Sequence, residues 1–106
     1  MRSEGRRGGA HVEELVEQRL NAFTSMPMER LRLLPEFARE EVVLEGRNVV
    51  IATYHESLAN DIHRVIVQAS QERWGGIVAG VAVSGYEFSD AGSPRKLRDE
   101  ELYDYT

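Results

Sequence analysis

EEVVLEGRNVVIATYHESLANDIHRVIVQASQERWGGIVAGVAVSGYEFS, residues 40–89, decides the fold. Its apolar runs, Val42–Leu44, Val49–Ile51 with Val65–Val67, and Ile77–Val83, can share one buried sheet face. They are separated by Gly46, by Asn60 with Asp61, and by Gly75 with Gly76, the residue types that tight turns require. The pattern is that of a β-meander, with strands expected over residues 41–45, 48–56, 63–73 and 77–88.

The strand registers test one another. A two-residue turn at Gly46-Arg47 sets Leu44 opposite Val49 and Val42 opposite Ile51. An odd loop around Ala59–Asp61 sets Ile51 opposite Val67 and brings His55 opposite His63. At Gly75-Gly76, one residue beyond a two-residue turn sets Ala69 opposite Val83, so a three-residue turn or a bulge is expected there; Gly80 and Gly85 are further points where the last strand can bend. The competing pattern is a helix over Asn60–Trp74, where Ile62, Val65, Ile66 and Ala69 follow helical spacing. The β-branched run Val65-Ile66-Val67 and the agreement of the registers favour strand.

Upstream, Val12, Leu15, Val16, Leu20 and Phe23 form the apolar stripe of a first helix over His11–Met26, opposite the wet face of Glu13, Glu14, Glu17, Gln18 and Arg19. Ser25 and Pro27 suggest the start of a short second helix carrying Met28, Leu31 and Leu34 before Pro35. Downstream, Leu97 and Leu102 can bracket a short acidic terminal helix with Arg98, a poor cap, at its start. The expected architecture is α+β: two N-terminal helices packed on one face of a four-stranded antiparallel β-meander, with a short C-terminal helix.

The 106 residues fit one domain, residues 11–106, behind a disordered basic leader at 1–10. That leader holds three arginines against Glu4, a local charge of +2, which leaves –7 for the rest of a chain whose formal charge is –5. An acidic body repels phosphate backbones, so nucleic acid is not an expected partner. The longest uncharged apolar stretch, Gly75–Tyr86, falls short of the ~20 residues of a membrane helix, and no apolar export segment follows the leader. With no cysteine, thiolate chemistry and cysteine-ligated zinc are excluded, and the cytoplasm is the default setting. Twelve arginines against one lysine suggest a GC-rich, bacterial coding sequence.

Chemistry is sparse in the pattern. His55 and His63, with Glu56 and Asp61 beside them, form a candidate metal or acid/base site, but His-Glu-x-x-His and His-x-His spacings are absent. Gly75-Gly76-x-x-x-Gly80 lacks phosphate-loop spacing, and Ser84-Gly85 is no nucleophile elbow. The expectation is therefore a non-catalytic domain with no metal and no cofactor. Helices cover one sheet face only, so Val50, Ala52, Tyr54, Ile66, Ala82, Tyr86 and Phe88 are expected to form a self-association interface on the other. In a monomer the segment from Ser93 onward is the expected cover. The alternative is a small-molecule- or metal-dependent enzyme centred on His55 and His63.

Overall fold

A computed structural model describes residues 7–72, 78–90 and 92–105, with side chains from Val12 onward and without those of 72 and 78–80. The chain runs α1 (Arg7–Thr24), α2 (Met28–Leu31), β1 (Phe37–Leu44), β2 (Arg47–Leu58), a 3-10 turn (Ala59–Asp61), β3 (Ile62–Glu72), β4 (Val78–Ser89), β5 (Gly92–Lys96) and a C-terminal 3-10 helix (Asp99–Tyr105). The strands form one antiparallel sheet in the order β1-β2-β3-β4-β5. No helix among the described residues is long and apolar enough to cross a membrane.

The α+β meander expected from the sequence is present, with five strands instead of four and with Ile62–Glu72 extended instead of helical. The added strand, Gly-Ser-Pro-Arg-Lys, has no apolar alternation and is exposed along its whole length. Its Pro94 fits an outer strand, where no partner beyond it needs the missing N–H. α1 begins four residues earlier than the apolar stripe indicates, at Arg7. α2 is capped by Pro27, with no side-chain cap hydrogen bond, so Ser25 does not play the expected part.

Each hairpin departs from its expected register for a local reason. β1 and β2 turn at Glu45-Gly46, both at positive φ (53° and 78°), the mirror-type turn that matches strand twist. Val42 therefore faces Val49 and Leu44 faces Arg47. The shift is two residues, so every side chain keeps its face. β2 and β3 close at Leu58 opposite Ile62, and the positive φ of Asn60 (63°) and Asp61 (57°) carries the chain round. Ile51 then faces Ala69, again two residues from expectation.

The third hairpin differs in kind. Ala69 faces Ala82 and Val67 faces Ser84, the pairing that a two-residue turn implies, and the register slips between Ser70 and Gln71, where Gly80 is passed over. A bulge occurs at Gly80, where the sequence suggested only a bend, and the rest of β4 lies one residue from the predicted register. The odd shift exchanges faces, putting Ala82, Ser84, Tyr86 and Phe88 on the helix side. The Gly75-Gly76 turn lies outside the described residues.

α1 lies across β3 and β4. Val12, Val16 and Leu20 from α1, with Leu31, pack on Val49, Ile51, Val65, Val67, Ala69, Ala82 and Phe88 as one buried cluster. The opposite face has a smaller cover. Leu97 and Leu102 bury Ile66, with Tyr54, Val83 and Tyr105 around them. Gly85, opposite Ile66, makes this possible: a Cβ there would stand 2.8 Å from the Val65 carbonyl oxygen and 2.9 Å from Leu97 Cδ1. The Leu97 N–H donates to the Gly85 carbonyl at 2.9 Å. The weak cap at Arg98 is compensated by Glu101, whose carboxylate accepts from the Arg98 N–H at 2.8 Å, the returning half of a capping box.

Candidate functional site

The two histidines approach each other diagonally. In register, His55 faces Val65 and His63 faces Ser57, yet the rings meet edge to edge, with centroids 5.1 Å apart and planes 26° from parallel. Both are buried, at 8% and 4% exposure. His55 Nδ1 donates to the Leu34 carbonyl at 2.9 Å, His55 Nε2 lies 2.8 Å from His63 Nδ1, and His63 Nε2 lies 2.7 Å from Asp61 Oδ1. Arg32 grips both oxygens of Asp61 and reaches Asp90 at 3.0 Å. The chain of contacts thus closes on itself: it leaves the α2–β1 segment at Arg32, crosses the β2–β3 hairpin end and returns at Leu34.

Hydrogen counting orients the outer contacts of this ring. A carbonyl only accepts, so His55 Nδ1 carries hydrogen, and an ionised Asp61 likewise requires hydrogen on His63 Nε2. The remaining two nitrogens, His55 Nε2 and His63 Nδ1, face each other. Arg32 first, and His63 second, hold the Asp61 carboxyl at about 2, well below its ordinary value. Such an arrangement can fix a loop to a hairpin and move a proton along it. With every ring nitrogen in a hydrogen bond, a metal would have to displace one of these contacts. No group of three or more metal-ligating side chains occurs among the described residues.

Of the proposed enzyme residues, His55, His63 and Asp61 are brought together, whereas Glu56 points to the other sheet face, opposite Arg64. Glu56 instead borders a cavity of about 550 Å3, lined by Arg32, Leu34, Glu36, Tyr54, His55, Glu56, Ser57 and Tyr105. Burial, then the Glu56 charge, push the Tyr105 phenol up. Tyr54 stands between Phe37 and Tyr105, with centroids 5.3 and 5.0 Å away. Arg32, Leu34 and Tyr105 were not among the candidate site residues read from the sequence. Only the folded chain brings them beside β2.

Compared with protein-family models, curated proteins and solved structures, the chain finds no match.

The seven residues expected to share an interface are divided. Val50, Ala52, Tyr54 and Ile66 lie on the second face, and Ala82, Tyr86 and Phe88 lie on the α1 side because the Gly80 bulge shifts β4 by one. Ile66 is wholly buried beneath the C-terminal cover. Exposed apolar side chains on the second face are instead Phe37 (51%), Val43 (70%) and Val81 (51%). Val43 is diagonal to half-buried Val50, and Ser70 alone separates Val50 from Val81 in the cross-strand row.

The cover is held by charge as much as by leucine. Arg64 pairs with Glu87 at 3.1 Å and Glu101 at 3.3 Å, and Arg95 pairs with the same two acids at 3.2 and 2.9 Å. Arg95, then the Arg98 N–H, hold the Glu101 carboxyl at about 2. Burial raises Glu87, but the hydrogen bonds from Arg64 and Arg95 outweigh it and leave its pKa lowered.

Proposed function

We propose that the chain works by association and not by catalysis, pairing with a second copy of itself through the uncovered part of the second sheet face. The observation that carries this reading is the apolar band Val43, Val50 and Val81, which crosses the sheet beyond the reach of the C-terminal cover. Burying such a band yields ~25 cal/mol per Å2, set against the entropy of association. Edge-to-edge pairing is disfavoured at both outer strands. β1 presents Arg39, Glu40 and Glu41, and β5 presents Pro94, Arg95 and Lys96, the residues that blunt a sheet edge. A bacterial cytoplasm, read from arginine usage and the lack of cysteine, belongs to this proposal.

Light scattering should give twice the 12.0 kDa chain mass, and V43D with V81D should give folded monomers. A wild-type chain that stays monomeric at high micromolar concentration overturns the reading. Ile66→Asp does not serve this test, because it would unseat the terminal cover.

A second reading, an enzyme using His55 and His63, draws on the position of His55 at the cavity wall. Under the association reading, zinc or nickel leaves the melting temperature unchanged and H55Q/H63Q alters stability alone. A chelator-sensitive rise of several degrees, abolished in H55Q/H63Q, favours the enzyme.

A further inference from the structure

The last residues of β2 have a neighbour on one side only. β1 begins opposite Tyr54, and the ladder between these strands ends with the His55 N–H donating to the Glu36 carbonyl at 3.0 Å. Backbone groups alternate in direction along an antiparallel strand, so Ser57, two residues on, turns its N–H and C=O to the same side as His55. The register gives Ser57 no β1 partner. The 550 Å3 cavity lies along this edge, between β2 and the Arg32–Glu36 segment, which the Leu34 carbonyl anchors to His55.

The walls of the cavity favour one kind of side chain. Tyr54 and Tyr105 supply aromatic surface, and Glu36 and Glu56 supply carboxylates that no described ion pair engages. The cation of the lining, Arg32, is held by two acids, Asp61 and Asp90. An incoming guanidinium or ammonium therefore meets uncompensated negative charge beside π faces.

We infer that the open end of β2 is an acceptor for an extended, arginine- or lysine-bearing peptide, which adds to the edge at Ser57 and places a basic side chain between Glu36, Glu56 and the two tyrosines. Main-chain hydrogen bonds give such strand addition its affinity, and the adjoining cavity gives its selectivity. This surface is distinct from the Val43–Val81 band, so it stands or falls independently of self-association.

The test is calorimetric titration of the full chain with a blocked peptide, acetyl-Val-Arg-Val-Arg-Val-amide, against the same peptide with glutamate for arginine, a backbone N-methylated version, and agmatine alone. The arginine peptide should saturate the protein, with the glutamate and N-methylated forms weaker by about tenfold or more. E36Q/E56Q should lose about the same factor. S57P should lose it too; should S57P not fold, the N-methylated peptide tests the same backbone contact on the wild-type chain. Equal binding of the glutamate or N-methylated peptide overturns the proposal. So does agmatine binding as tightly as the peptide, or no binding of the arginine peptide up to about 1 mM.

Discussion

The two faces of the sheet are covered by opposite means. On one, an 18-residue amphipathic helix buries a continuous aliphatic cluster. On the other, a 3-10 helix of seven residues brings Leu102, with Leu97 just ahead of it, and relies on Arg64, Glu87, Arg95 and Glu101 to stay in place. A long apolar stripe can bury enough area to offset its ordering entropy unaided, whereas a short cover needs directional contacts to choose its seat. The first face should therefore set global stability and the second local opening.

The largest effect that separates them is core truncation. Ile51→Ala, in the core cluster on the α1 side of the sheet, should cost about 2–5 kcal/mol in denaturant unfolding. Leu102→Ala should cost less, and it should chiefly raise hydrogen exchange in residues 97–105 while leaving β2 and β3 protected. Equal global losses for both would mean that the two covers form one cooperative unit.

Gly85→Ala sharpens the comparison from inside the sheet. The added methyl meets the Val65 carbonyl oxygen and Leu97, so it should cost about 1–3 kcal/mol and displace Leu97 before it disturbs α1. Near-ultraviolet circular dichroism from Tyr105 and Tyr54 reads that displacement. A fully stable Gly85→Ala chain would show that the close approach is not needed.

Acid titration gives the smallest effect, and it addresses each end of the sheet separately. Asp61 and Glu101 both have folded values of about 2, below their ordinary values. Their contributions are complete above the unfolded values near 4 and are lost as pH falls toward 2. Glu101→Gln should flatten that acid limb as read at the terminal cover, and Asp61→Asn should flatten it as read at the α2–β1 segment. Exposed pairs are screened, so added salt should reduce both effects.

What the sequence disclosed follows the same division. The stripe Val12, Val16, Leu20 and the alternation of Val49, Ile51, Val65 and Val67 were legible because burial on one face imposes a period that a single chain displays. The sides of β2 and β3 survived a two-residue register error, since a shift of two preserves the pleat. β4 did not survive an error of one, because Gly80 marks a bulge without revealing which side of it is displaced. β5 was illegible, being an exposed strand with no apolar face. At the site, the sequence suggested that His55, His63 and Asp61 meet. Arg32, Leu34 and Tyr105 come from segments whose destinations depend on tertiary packing, and local spacing carries no record of that.

The nearest-neighbour order of the strands also bears on how the chain reaches this structure. Every hairpin joins segments adjacent in sequence, so the sheet can zip from local turns with small loop-closure cost at each step. α1 is the exception: it is made first along the chain, yet it packs on β3 and β4. Docking of that helix is the long-range event whose closure should govern the folding rate, while the ionic seat of the terminal cover should bear mainly on how soon the finished molecule opens.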